Sequence, residues 1–311
     1  MDEKVKENTA PVRKPVTVDL AGRVNEHTVD VAGTAVHYWD YAPRDWTPES
    51  RTIVMVHGFR GDHHGLERVV ELLPEHRVIM PDLPGFGRSP AFAGTAHSID
   101  GYGQFLAGFL DTLALGAGTV LLGHSFGSIV ASHFAASHPG RVYPLVLVNP
   151  IAAPALEGPK GVMTKLAVFY YWASAKLPAA LGNALLRSKL IVRVMSVTMA
   201  KTKDPDLLAF IHGQHHAYFS GFANRDMLLE SFQASVGGTV REVAGQLALP
   251  TLLIAGAQDE IATLPTQHVL KDLLPQGELV VIPDVGHLIH YETPAPAAAA
   301  IIDFLERHPA P

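Results

Sequence analysis

Two hydrophobic periods take turns along this chain. "TAVHYWDYA" (34–42) alternates apolar and polar residues, the period of a strand. "TIVMVHG" (52–58) is a short continuous apolar run that stops at a glycine, the pattern of a strand buried on both faces. "GLERVVELLP" (65–74) has helical spacing, and "RVIMPDLPG" (77–85) is again strand and turn. "SIDGYGQFLAGFLDTLAL" (98–115) predicts a helix capped by Ser98. "TVLLGHS" then reads as a strand, "FGSIVASHFAASHP" as a helix stopped by proline, and "VYPLVLVNP" (142–150) as a further strand.

The alternation breaks at about residue 151. From there to 235 the patterns are helical and alanine-rich, with no convincing strand. It resumes with "PTLLIAGAQD" (250–259), a helix over 262–275, "ELVVIPDVGH" (278–287) and a last helix over 294–307. Strands that alternate with helices predict a parallel sheet covered on both faces. The expected organisation is therefore a flexible lead-in over 1–25, an α/β core over 26–150 and 236–311, and a helical insertion over 151–235.

Composition narrows the chemistry. The 311 residues are 48% hydrophobic, enough for a large core. A net charge of -6 gives no reason to expect nucleic acid or an anionic membrane as partner. With no cysteine in the chain, thiolate catalysis, disulfides and cysteine-bound metal are excluded. The start, "MDEKVKENTAPVRKPVTVD", is charged and lacks an apolar signal segment, so a cytoplasmic location is expected. "LAVFYYWASA" (166–175) lies between Lys165 and Lys176 and has roughly half the length of a spanning helix, so no stable membrane insertion is expected.

Ser125 stands between Gly123 and Gly127, directly after one predicted strand and before a helix. A sharp strand-to-helix turn strains its central residue and demands neighbours without side chains. The helix N-terminus there favours developing negative charge. A serine nucleophile needs a base and an orienting acid. His287 follows a later strand and Asp259 ends the strand before that one, which makes Ser125, Asp259 and His287 the candidate triad, in that order. The N–H groups of Phe59, after His57-Gly58, and of Phe126 are the candidate oxyanion donors.

With "HGF" (57–59), "DLPGFGRS" (82–89), "GHSFGS" (123–128), "GAQD" (256–259) and "GH" (286–287), the chain resembles the α/β-hydrolase superfamily, in its capped serine-hydrolase branch of esterases and C–C bond hydrolases. The motifs run in the family order over about 230 residues. The resemblance implies a mostly parallel eight-stranded sheet flanked by helices, with 151–235 as a helical cap. It implies Ser125 as nucleophile, His287 as general base and Asp259 as its partner. Relatives that open epoxides or remove halide carry an aspartate at the Ser125 position and are disfavoured. C–C hydrolases often have a more glycine-rich loop than "FRGDHHG" after the first "HG".

The expected activity is cofactor-free hydrolysis of a carboxylic ester of a hydrophobic small molecule through an acyl-enzyme. C–C cleavage, a perhydrolase or lyase on the same triad, and a ligand receptor with a slow triad are the alternatives. Other clusters carry weaker readings. Glu260 is a fallback acid. His212, His215 and His216 include a pair at metal-ligand spacing but no third ligand, so no metal is expected and they are read at the pocket mouth or on the surface of the cap. His63 and His64 are read at the pocket entrance or on a surface loop. "AVFYYW" (167–172) is read as a core stripe of the cap, with a contribution to one pocket wall as a second reading and membrane contact as a third.

Overall fold

The computed structural model describes residue 20 and residues 22–154 and 161–311. Eight strands form one sheet: β1 (Val24–Val31), β2 (Thr34–Tyr41), β3 (Thr52–Val56), β4 (Arg77–Pro81), β5 (Val120–His124), β6 (Leu145–Val148), β7 (Thr251–Gly256) and β8 (Gly277–Ile282). Their spatial order is β1-β2-β4-β3-β5-β6-β7-β8. β2 runs antiparallel to both of its neighbours, and every pairing from β4 to β8 is parallel.

The pleat sorts the central strands. Val54 and Val56 of β3, Leu121 of β5, Leu145 and Leu147 of β6 and Leu253 of β7 face one apolar core. Ile53 and Met55, Val120 and Leu122, Val146 and Val148, and Leu252 and Ile254 face the other. Helices α2 (Ile99–Thr112) and α3 (Phe126–Ser137) cover the first face with Tyr102, Phe109, Phe126 and Phe134. The short α1 (Glu67–Val70) and the long α11 (Pro294–Arg307) cover the second with Val69, Val70, Ile301 and Phe304. Apolar residues on both faces are why these strands read as unbroken hydrophobic runs.

Two elements differ from the sequence expectation. β1 begins at Val24, inside the expected lead-in, and pairs with β2 through a two-residue turn in which Ala32 and Gly33 both have positive φ, 52° and 82°. As an edge strand exposed for most of its length, it alternates only over Val29-Asp30-Val31, too short a stretch to read as a strand. Residues 1–19 and 21 of the lead-in lie outside the described residues. The helix expected over 65–74 is a 3₁₀ turn at His63–Leu66 followed only by α1. Beyond α1 the chain tightens, with Leu72 and Leu73 N–H donating to Val69 and Val70 carbonyls, and Pro74 follows.

Between β6 and β7 the described residues form α4 (Gly161–Lys176), α5 (Ala179–Leu186), α6 (Lys189–Met199), α7 (Pro205–Tyr218) and α8 (Arg225–Gly237). α8 runs through the expected boundary at 235. α9 (Leu264–Leu273) and α10 (Ile289–Glu292) complete the set. No helix among the described residues is long and apolar enough to cross a membrane.

Candidate active site

The strand order reverses at β3. The chain steps from β3 to β4 on one side, then places β5 on the other, so a crevice opens beyond the carboxyl ends of β3 and β5. Ser125 lies there, one residue past β5, with φ 54° and ψ -117°. This left-handed conformation is costly for a residue with a side chain, and the surroundings hold it. A Cβ on Gly123 would lie 2.3 Å from the Gly127 carbonyl oxygen, and one on Gly127 would lie 2.2 Å from the Val56 carbonyl oxygen. Only hydrogen fits at either place, so α3 starts hard against the ends of β3 and β5.

The structure brings the three candidate triad residues together. Ser125 Oγ lies 2.8 Å from His287 Nε2, and His287 Nδ1 lies 2.7 Å from Asp259 Oδ2. An ionised Asp259 accepts the Nδ1 proton, which leaves Nε2 as acceptor for the Ser125 hydroxyl. The Asp259 carboxylate takes three more donors: the Ile261 and Ala262 N–H groups at 2.8 and 2.9 Å on Oδ1, and Asn149 Nδ2 at 2.8 Å on Oδ2. Burial alone would raise this carboxyl; the adjacent His287 and the two N–H donors outweigh it and hold Asp259 below its ordinary value. Asn149 is a positioning residue that the sequence alone did not reveal. It follows β6 with φ 46°, and its amide also donates to the Gly286 carbonyl at 3.2 Å, tying three strand-end loops. Its place in "VNP", just past a strand end, is also that of an ordinary turn residue.

Phe59 and Phe126 both line the cavity beside Ser125. Phe126 is the first residue of α3, where N–H groups have no partner within the helix. Neither the Phe59 nor the Phe126 N–H donates to an acceptor among the described residues. The loop that carries Phe59 is clamped by buried His57. Its Nε2 accepts from the Leu83 N–H at 2.9 Å, so Nδ1 bears the proton and donates to the Gly58 carbonyl at 2.8 Å. Burial pushes His57 down, which suits this neutral clamp.

The cavity has a volume of about 250 Å³ and a mostly apolar wall. Phe59, Leu66 and Ile151 of the core face Met195 and Met199 of α6 and Val236 of α8. The helices are fastened to the core by Arg60, which follows Phe59 and has φ 62°. This fully buried guanidinium donates to the Phe219 carbonyl at 2.9 Å, the Leu186 carbonyl at 2.7 Å and the Tyr171 hydroxyl at 3.2 Å. One side chain thus holds α4, α5 and the end of α7. A run of buried histidines also crosses this seam: His124 before Ser125, His290 on α10 with ring centres 4.2 Å apart, and His215 on α7. Burial, then the neighbouring His287, pushes His124 down to about 3; burial, then His212, does the same to His215. His290 lies well below its ordinary value through burial, His124 and His215.

The weaker readings resolve differently. Glu260 is half-exposed and pairs with Lys201 at 3.2 Å. His212 and His215 are buried rather than at the pocket mouth or surface, and both bond the buried Ser196 hydroxyl through Nδ1, each at 2.6 Å. His63 is neither at the entrance nor on the surface. It is buried, bonded to Asp82 at 2.9 Å and stacked on Trp39. His64 bonds Asp62 at 3.1 Å and stacks on Tyr218. In "AVFYYW" Tyr171 is buried against Phe232, whereas Phe169 and Trp172 are 62% and 50% exposed, so the stripe is only partly core. Among the described residues of α4, Ala167, Tyr170, Tyr171 and Ser174 share the packed face, and these two rings lie off it.

Comparison with known proteins agrees with this architecture. A family model described as the alpha/beta hydrolase fold matches residues 51–294, and the chain belongs to this family. It is 31% identical over 241 residues to a 2-hydroxymuconate semialdehyde hydrolase of Pseudomonas sp. (strain CF600), covering 76% of this chain and 78% of that one. It is 24% identical to Lipase 3 of Moraxella sp. (strain TA144), over 76% of this chain and 71% of the relative. A thermophilic esterase from Thermogutta terrifontis superposes with a TM-score of 0.70 at 24% identity, over 92% of this chain and 98% of that chain. The chain is thus a member of the alpha/beta hydrolase fold family, with a 2-hydroxymuconate semialdehyde hydrolase and a lipase among its relatives.

Proposed function

We propose that this protein is a serine hydrolase that cleaves a carboxylic ester of a small hydrophobic molecule through an acyl-enzyme intermediate. The observation that carries the reading is the Ser125–His287–Asp259 chain, at 2.8 and 2.7 Å, opening into an apolar cavity. His287 takes the Ser125 proton as Oγ attacks the ester carbonyl. The Phe59 and Phe126 N–H groups receive the oxyanion, each such donor being worth on the order of 3 kcal/mol of barrier. The tetrahedral intermediate collapses, the leaving alcohol takes the proton from His287, and a water repeats the sequence to release the acid. The steps balance with water as the sole co-reactant. Helices α4–α8 serve as a lid that confines the acyl group.

A second reading, the C–C cleavage raised above, is favoured by the likeness to the 2-hydroxymuconate semialdehyde hydrolase. Stopped-flow assay with p-nitrophenyl esters tests the first. The expected result is a burst of one nitrophenolate per Ser125 followed by many turnovers, and in Ser125→Ala a loss on the order of 10⁴-fold or more with unchanged melting. A single burst without turnover sinks the esterase reading, and more than a few per cent residual activity in Ser125→Ala sinks the nucleophile.

A further inference from the structure

The outer surface of α4–α6 is unlike the rest of the molecule. Thirteen large hydrophobic side chains are exposed among the described residues, and nine of them fall between Leu166 and Val197. They are ordered. Lys165, Phe169, Trp172 and Lys176 share one stripe of α4, since steps of four, three and four residues return to the same face. Leu190, Val194 and Val197, exposed by 73%, 59% and 56%, form the equivalent stripe on α6. Met195 and Met199 lie on the opposite face of that helix and line the cavity. α6 is therefore one helix thick between the solvent and the Ser125 site.

The segment that builds this surface carries charge of one sign. From Gly158 to Lys203 the chain has eight lysines and arginines and no aspartate or glutamate, within a protein of net charge -6; of the eight, Lys201 pairs with Glu260 and Arg187 bonds the Phe222 carbonyl. Lys165, Lys176, Lys189 and Arg193 are exposed beside the apolar stripes. A second copy of the chain seated here would set cation against cation. An anionic lipid surface matches both parts: apolar rings enter the headgroup–acyl boundary and the basic side chains meet phosphates.

We propose that the outer face of α4–α6 docks the protein reversibly on an anionic lipid bilayer, with Phe169, Trp172 and the α6 stripe entering the interface. Docking sets the cavity one helix away from lipid-dissolved molecules. It rests on the surface alone and does not depend on the ester reading.

Flotation of the full chain with vesicles tests it. Binding is expected to vesicles containing phosphatidylglycerol, to weaken as salt is raised, and to be slight on pure phosphatidylcholine. Trp172 fluorescence is expected to shift to the blue on binding, and the shift to vanish in Trp172→Phe. The double variants Phe169→Ser/Trp172→Ser and Lys176→Glu/Lys189→Glu are each expected to lose about tenfold or more in binding while melting at the parent temperature. No binding to anionic vesicles at low salt overturns the proposal, as does binding that neither double variant alters. A concentration-dependent dimer in sedimentation that Phe169→Ser/Trp172→Ser abolishes also overturns it, in favour of an interface between copies.

Discussion

The two walls of the cavity are held by different physics. On the core side, position is fixed by backbone contact and hydrogen bonds: glycines where a Cβ would lie 2.2–2.3 Å from a carbonyl oxygen, and four donors on one carboxylate. On the helical side, the wall is apolar, and α4 and α6 leave large hydrophobic side chains exposed outside. A hydrogen-bonded array tolerates little displacement, whereas an apolar wall of flexible methionines accommodates different shapes. Under the proposed function, chemistry belongs to the strand ends and substrate preference to the helices.

The sharpest way to break this comparison is to disturb the core wall without changing its shape. Asp259→Asn keeps the volume but removes the charge and lets His287 take the wrong tautomer, so kcat is expected to fall on the order of 10⁴-fold. Glu260→Gln, one residue away and paired outward with Lys201, is expected to leave kcat within about twofold, since surface ion pairs are worth little. Steady-state kinetics of the two variants decide it. The reverse ranking moves the acid to Glu260, and two mild effects remove Asp259 from the chemistry.

Next in size is the fastening between the walls. Arg60→Ala strips donors from the buried Leu186 carbonyl and the part-buried Phe219 carbonyl and leaves both oxygens without that partner. Orphaning such groups costs about 1–3 kcal/mol each, so unfolding in urea is expected to move to a lower midpoint by an equivalent amount. An unchanged midpoint would show that the helices are held by packing alone.

Acid separates the walls more gently. In the folded state His124 and His215 sit at about 3 and His290 well below its ordinary value, while in the unfolded chain each titrates near 6.5. Below pH 6.5 the unfolded chain therefore binds protons that the folded chain refuses. Stability is full above that pH and falls as pH drops toward 3, by up to about 1.4 kcal/mol per pH unit for each histidine. Denaturation midpoints at pH 7, 6 and 5 are expected to fall progressively, less steeply in His215→Gln. Flat stability over that range would mean that these rings are protonated in place.

The same contrast governs what was legible in the sequence. The core-side residues follow strands that read as apolar runs, and glycines mark the turns at Ser125 and His287, so their placement followed from pattern and order. Asn149 escaped because an amide after a strand has no signature distinct from an ordinary turn. On the helical side, a 3.6-residue period reveals that a helix has an apolar face but not what that face meets. Phe169 and Trp172 therefore read as core yet lie outside, and β1, wet for most of its length, left only the short alternation of Val29-Asp30-Val31.

The smallest effect probes the helical wall itself. A cavity of about 250 Å³ is modest for a ligand site, and its apolar lining should reward each methylene until the space is full. Burial of a CH₂ is worth about 0.8 kcal/mol, so kcat/KM for p-nitrophenyl esters is expected to rise about fourfold per carbon from acetate, peak a few carbons later and then decline. Met195 lines the cavity from α6, and Met195→Ala is expected to move the peak toward longer chains while leaving the rate on acetate nearly unchanged. That shift would tie chain-length preference to the helices and leave the chemistry with the strand ends. A rate highest on acetate and falling steadily, or a maximum that Met195→Ala does not move, would instead make the core side the determinant of both.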